Sequence, residues 1–314
     1  MVDEQYYASL LKKTLINAIR RCGCVTHALT SGGVDSSIAA SLMRFYGVNR
    51  NFKGIIVSLE GQESPDTYYA RILARHLGIK VLHIVVSIDE ALKAVEDVVK
   101  IMATFDPMEV INSTAVFIAL KAVKNVGGIK VLTGDGGDEL FAGYTYMHKM
   151  SYKELEEYIK QLVKTWRFSS IELGEFLGLK VCSPYLDNEV IDLALRIPAK
   201  LKVVKRNREI IGKYILRIAF RDILPSEIVW RSKHPIEYGS GFNRLYKILE
   251  DLSKDKIQED IKFWHKAQPY LYEIFKKFHR IKPPTQNEKK CPYCGSGVPK
   301  NRRYCRTCGA YPVD

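Results

Sequence analysis

The chain has 314 residues, 46% of them apolar and 26% charged, which is enough for one large domain or two ordinary ones around a substantial core and excludes a disordered or fibrous protein. No apolar run approaches the roughly 18 to 20 residues that crossing a bilayer takes, and the opening MVDEQYYASLLKKTL carries early acids, so a cytoplasmic location without membrane contact is expected. The net charge of +13 points to phosphate or an acidic surface as partner.

From Val25 to about Leu140 the sequence alternates apolar runs with longer helical patterns, the βαβ rhythm of a parallel sheet. Strands are predicted at Val25–Thr30, Lys53–Leu59, Lys80–Val86 and Lys130–Thr133. Helices are predicted between them at Ser36–Tyr46, Thr67–Leu77, Ile88–Met102 and Ser113–Asn125, where apolar residues recur at three and four. Gly47, Gly78 and Gly127-Gly128 mark helix ends. The expected fold class is therefore α/β, a twisted parallel sheet with helices on both faces, its ligand site at the carboxyl ends of the strands. Beyond about Tyr152 the pattern reads as mostly helical, through Ile191–Arg196, Ile210–Ile223 and Leu245–Phe278. The stretch Lys282-Pro283-Pro284-Thr285-Gln286-Asn287-Glu288 has linker composition. Three segments follow: a catalytic body over 1–245, a helical extension and linker over 246–285, and a terminal module over 286–314.

The first predicted strand runs into Ser31-Gly32-Gly33-Val34-Asp35-Ser36-Ser37 and then into a helix. Glycines let a ligand approach the backbone, while helix-start amides and the hydroxyls of Ser31, Ser36 and Ser37 donate to anionic oxygens. Asp35 would repel bare phosphates, so a hard cation such as Mg²⁺ is implied between them. The last predicted strand leads likewise into Thr133-Gly134-Asp135-Gly136-Gly137-Asp138-Glu139, where Asp138 is a plausible second ligand to one Mg²⁺.

The string SGGVDSS resembles the phosphate loop of the N-type ATP pyrophosphatases (PP-loop, adenine nucleotide alpha hydrolase-like proteins), which adenylate a substrate and release pyrophosphate; the P-loop lysine is missing. Together with Ser58-Leu59-Glu60-Gly61, Ser64-Pro65-Asp66, Ser113-Thr114, Pro184-Tyr185-Leu186-Asp187, Lys213-Tyr214-Ile215-Leu216-Arg217 and Trp230-Arg231-Ser232-Lys233, it resembles the synthetase domain of glutamine-dependent asparagine synthetase over residues 10–245. That resemblance implies that backbone near Leu29, Val57, Thr133 and Gly134 holds adenosine and that the SGGVDSS loop holds pyrophosphate. It further implies that Asp35 and Asp138 bind Mg²⁺, that Lys233 stabilises phosphate charge, and that Asp135 helps the incoming amine lose its proton or positions the substrate.

Four departures qualify the resemblance. Asp135 stands where the family has glutamate, and Ile111 and Cys182 stand where it has arginines, which weakens free aspartate as the substrate. The family's nucleophilic cysteine after the initiator methionine is Val2 here, so nitrogen is expected from free ammonia, a separate glutaminase subunit or an amine on the substrate.

Cys291-Pro292-Tyr293-Cys294-Gly295 and Cys305-Arg306-Thr307-Cys308-Gly309 form two CxxCG knuckles, the pattern of a structural tetrahedral Zn²⁺ ribbon; iron on the same ligands is the alternative. From Lys276 to Asp314 there are ten basic and two acidic residues, a net +8. Lys289, Lys290, Lys300, Arg302, Arg303 and Arg306 are interleaved with Tyr293, Tyr304 and Tyr311, which suits RNA or a docking protein. Cys22 and Cys24 read as small packing residues in a reducing compartment, and a sulfur-carrying Cys182 would make a nucleobase thiolase.

The leading expectation is thus an ATP-dependent, AMP- and pyrophosphate-forming synthetase that adenylates a carboxylate or carbonyl oxygen and transfers it to ammonia or an amine, with a homo-oligomer as one expected assembly. The alternative is a tRNA-modifying enzyme that adenylates a nucleobase and grips RNA with the ribbon.

Overall fold

The computed structural model describes residues 3–62, 64–206, 209–256 and 261–314; Val2 and residues 257–260 of the predicted helical extension lie outside them. In chain order the first half contains α1 (Glu4–Arg21), β1 (His27–Leu29), α2 (Val34–Tyr46), β2 (Lys53–Leu59), α3 (Pro65–Leu77), β3 (Val81–Val86), α4 (Ile88–Met102), α5 (Pro107–Asn125) and β4 (Lys130–Leu132). Then come α6 (Gly137–Leu140), α7 (Tyr152–Val163), α8 (Ser169–Phe176), β5 (Lys180–Cys182), α9 (Asn188–Arg196), α10 (Ala199–Lys202), β6 (Val204–Arg206), β7 (Glu209–Ile211) and α11 (Tyr214–Phe220). The remainder holds α12 (Ser226–Val229), α13 (Ile236–Ser240), α14 (Arg244–Leu252), α15 (Gln268–Phe278), β8 (Glu288–Lys290) and β9 (Gly297–Pro299).

The five strands form a parallel sheet in the order β3-β2-β1-β4-β5, with helices on both faces. Order reverses at β1, whose neighbours are β2 and β4. A reversal of this kind opens a crevice at the carboxyl ends of the central strands, where a ligand can enter. The four strands predicted from apolar runs are all present. β5 was not predicted, because it lies beyond Tyr152 in a stretch whose pattern reads as mostly helical. The helical reading of Ile210–Ile223 needs correction: Ile210 lies on β7, which pairs antiparallel with β6, and the helix begins only at Tyr214.

The described residues form two compact units. One comprises residues 1–56, 65–84 and 119–234. Its core joins Leu11, Leu15 and Ile19 of α1 to Ile38, Leu42 and Met43 of α2 and to Ile215, Leu216 and Phe220 of α11. Amphipathic spacing at three and four gives α1 that buried stripe, and Asp3 caps its start by accepting from the Tyr6 amide.

The other unit comprises residues 57–64, 85–118 and 235–314. In it α4 packs against α15, with Phe105 wedged against Tyr272 and Phe275 at centroid distances of 5.1 and 5.3 Å. A reciprocal Ser87–Glu90 capping box starts α4. No described helix is long and apolar enough to cross a membrane.

Candidate functional site

The SGGVDSS loop follows β1 and turns into α2 with Gly33 as N-cap. Gly32 has φ +67°, and a Cβ there would lie 2.4 Å from the Tyr69 Cβ, so the turn admits only glycine. The Ser31 and Ser36 hydroxyls are 3.2 Å apart, and Ser36 Oγ donates to the Gly33 carbonyl at 3.1 Å. Ser37 Oγ is buried with no hydrogen-bond partner. Arg231 braces the loop from outside: its guanidinium donates to the Ser31 carbonyl at 2.8 Å, pairs with buried Asp66 and lies 4.1 Å from the Tyr69 ring centroid.

The second loop follows β4. Gly137 packs so closely on Asp35 that a Cβ would meet its Cγ at 2.5 Å, which is how the two acidic loops touch. Lys213, at the start of α11, puts its ammonium between them, 2.5 Å from Asp35 Oδ2 and 2.6 Å from Asp138 Oδ1. Its backbone is left-handed, with φ 56° and ψ 27°, a conformation costly for lysine and tolerated where the surroundings fix it. Lys233 Nζ reaches Asp138 Oδ2 at 2.9 Å and lies 5.7 Å from the Tyr144 ring centroid.

Burial raises the Asp138 carboxyl, but the ammonium groups of Lys213 and Lys233 outweigh it and hold the group at about 2. For Asp35 burial prevails over the pull of Lys213, so its carboxyl is raised. Asp135 is likewise raised by burial, opposed by the hydroxyls of Ser170 and Thr133, both of which donate to its Oδ2. Ser183 Oγ donates to the Asp135 carbonyl at 2.6 Å. The neighbouring Glu139 is raised to about 7, mainly by burial, with Tyr144 OH donating to it at 2.6 Å.

Leu29, Ser31, Gly32, Gly33, Asp35, Ser36, Ser37, Thr133, Gly134, Asp135, Asp138 and Lys233 thus all belong to the first unit, gathered from β1, β4 and the chain after α12. Val57 falls in the second unit, buried on β2. Site-directed roles for Lys213, Arg231, Ser170 and Ser183 were not foreseen. For Lys213 the only sequence signal was its place at the head of the KYILR string.

These features match a known pattern. A family model described as asparagine synthase matches residues 11–173 and 172–280. The chain belongs to the asparagine synthase family. It is 32% identical over 243 residues to asparagine synthetase [glutamine-hydrolyzing] 1 of Lotus japonicus, covering 72% of this chain and 41% of the relative. Over 280 residues it is 30% identical to asparagine synthetase [glutamine-hydrolyzing] of Gallus gallus, covering 85% and 48%. With asparagine synthetase B of Escherichia coli (strain K12) the identity is 29% over 297 residues, covering 86% and 52%. The chain therefore spans about half the length of the curated relatives it matches, over their synthetase region. Among solved structures, the U34-tRNA thiolase of Methanococcus maripaludis with its [4Fe-4S] cluster aligns over 88% of this chain and 82% of that one, at TM-score 0.37 and 14% identity, too distant to carry an argument.

Within this family member, the acidic pair fits a hard divalent cation. Asp35 Oδ1 is buried without a hydrogen-bond partner, and carboxylate oxygens are the donors Mg²⁺ takes, with phosphate oxygens completing its shell.

The four knuckle cysteines are buried, and their sulfurs lie within 4.8 Å of one another. Cys291–Cys308 and Cys294–Cys305 are each 3.7 Å apart, close to the ~3.8 Å edge of a tetrahedron of sulfurs about 2.3 Å from a zinc ion. The spacing suits one ion rather than a multinuclear cluster. Cys308 accepts at its carbonyl from Trp264 Nε1 and Gln268 Nε2, both at 2.7 Å. Thr104 Oγ1 donates to the Arg306 carbonyl at 2.9 Å, and the Phe105 amide donates to that of Thr307 at 2.9 Å.

Two expectations for side chains change here. Tyr304, read as a stacking face, is turned inward and donates to buried Asp106, because that carboxylate at the head of α5 needs a donor. Cys22 and Cys182, 160 residues apart, are joined as a disulfide with Cα atoms 5.9 Å apart, while Cys24 is a free, exposed thiol. Spacing cannot reveal such a pair, which forms only because α1 and β5 end side by side.

Proposed function

We propose that this chain is an ATP-dependent synthetase that forms AMP and pyrophosphate, adenylating a carboxylate or carbonyl oxygen and passing the activated group to ammonia or an amine. The observation that carries this reading is the convergence of Asp35, Asp138, Lys213 and Lys233 beside the SGGVDSS turn. Asp35 and Asp138 would hold Mg²⁺, which when bound neutralises the outer phosphates of ATP. Loop amides and the hydroxyls of Ser31, Ser36 and Ser37 receive those phosphates. Lys213 bridges the two carboxylates and sets their spacing, and Lys233 sets positive charge where the acceptor oxygen displaces pyrophosphate from the α-phosphorus.

In the second half the amine nitrogen attacks the activated carbon, AMP leaves with the bonding pair, and the nitrogen gives up a proton. Asp135, anchored at one oxygen by Thr133 and Ser170, is placed to orient that amine or take the proton. Ile111 and Cys182 supply no positive charge for a second carboxylate, which argues for an acceptor other than free aspartate. Nitrogen would come as ammonia, from glutamine hydrolysis or free, or as an amine already on the substrate. A Zn²⁺ ion held by the four cysteines would be structural, since it leaves no open position.

The basic terminal module favours one second reading, in which the adenylated group is a base of tRNA. Pyrophosphate release separates the two: stimulation by a small carboxylate with ammonium supports the first, and stimulation by bulk tRNA alone supports the second. Asp35→Asn should abolish release with either acceptor while the protein stays folded; a fully active variant would refute the metal role.

A further inference from the structure

Most basic residues of the terminal module are already engaged. Arg303 pairs with Asp314, and Lys289 donates to the Val313 carbonyl at 2.7 Å. Arg302 and Arg306 also have partners. Lys290 of the module and Lys262, ahead of it in the chain, line one groove of about 750 Å³ beside the first knuckle, together with Tyr293, Pro283, Pro284 and Pro292 among others, with no carboxylate among its described lining residues.

Three chain segments build this groove, and backbone hydrogen bonds tie them together. The Lys262 amide donates to the Tyr293 carbonyl at 2.9 Å, the Gly297 amide to Lys282 at 3.1 Å and the Cys291 amide to Ser296 at 2.8 Å. All of it lies within the second unit. Lys262, Lys290, Pro283 and Pro292 are exposed, and Tyr293 is half-buried.

Cationic ends beside flat proline and tyrosine faces are complementary to one class of ligand. A single strand of RNA offers backbone phosphates to the lysines and unpaired bases to the rings. A duplex hides its base faces, and an acidic peptide would use the charges but leave the flat walls idle. We propose that this groove binds a single-stranded RNA segment, independently of which acceptor the synthetase site uses.

The test is fluorescence anisotropy of a labelled oligouridylate with the full-length, zinc-loaded chain across a salt series. For Lys262→Ala/Lys290→Ala we expect about tenfold weaker binding or more, and a log–log salt slope shallower by about 1.4, the value for two lost phosphate contacts on a single strand. Tyr293→Leu should weaken binding to a similar degree while leaving the slope unchanged, provided its zinc content matches the parent. The exposed pair Lys247→Ala/Lys254→Ala should change affinity less than twofold. No measurable binding by the parent, unchanged binding by the groove variants, equal loss in the control pair, or tighter binding of polyglutamate than of RNA would each overturn the proposal. Pyrophosphate release with a small acceptor, measured alongside, reports on the synthetase reading separately.

Discussion

Lys213 decides whether the two site carboxylates can coexist in a buried loop pair. Removing its ammonium leaves Asp35 buried without its ion-pair partner and Asp138 with Lys233 alone, a loss of about 3 to 5 kcal/mol for a broken buried ion pair. We expect Lys213→Ala to lose roughly that much unfolding free energy in divalent-free denaturant titrations, with part of it restored by excess Mg²⁺. An unchanged midpoint would show that the lysine does not neutralise the pair. Glu139 gives a prediction of opposite pH sense. Its carboxyl, at about 7 instead of 4.5, stays protonated in the folded state over a range where the unfolded chain has already ionised. Stability is therefore lost as pH rises from about 4.5 to 7, by about 3 kcal/mol. Subtracting the stability–pH curve of Glu139→Gln from that of the parent should show this decline; a flat difference would contradict it. None of this was legible from the residues alone. The strings around Asp35 and Asp138 announced acids, but that a lysine 178 residues from Asp35 comes between them is a property of the fold.

At the level of elements, local pattern served where an element was long. The helix over Ile88–Met102 was placed at its observed ends because a capping box opens it and its apolar stripe runs four turns. β5 and the β6–β7 hairpin were missed because, unlike the equally short β1 and β4, they lie outside the βαβ rhythm of 25–140, in a stretch whose pattern reads as mostly helical. The Cys₄ knuckles were legible for the contrary reason, since their ligands are three residues apart within each loop. Their attachment was not. The second knuckle is hydrogen-bonded to Thr104 and Phe105 just ahead of α5 and to Trp264 and Gln268 at the head of α15. Metal binding and order at this junction should therefore be coupled. Hydrogen exchange checks it: after chelation the Phe105 amide, which donates to Thr307, should exchange at least about tenfold faster. Unchanged protection would mean that the junction holds without the ion.

Across the whole molecule, the parallel sheet with its order reversal at β1 puts the SGGVDSS and GDGGDE loops at the carboxyl ends of adjacent strands, and that placement was readable from the βαβ rhythm. The Cys22–Cys182 disulfide was not. Because it closes a 160-residue separation, its reduction should destabilise the first unit by about 2 to 4 kcal/mol, read from denaturant midpoints with and without reductant. The same unit carries the central claim, that ATP is cleaved between its α- and β-phosphates as something else takes the AMP. ATP labelled at the γ-phosphate, incubated with the full chain, Mg²⁺ and an accepted substrate, resolves it in one chromatogram. Label appearing as pyrophosphate, and lost with Asp35→Asn, is the predicted result; label appearing as orthophosphate with ADP as the companion product would contradict the account.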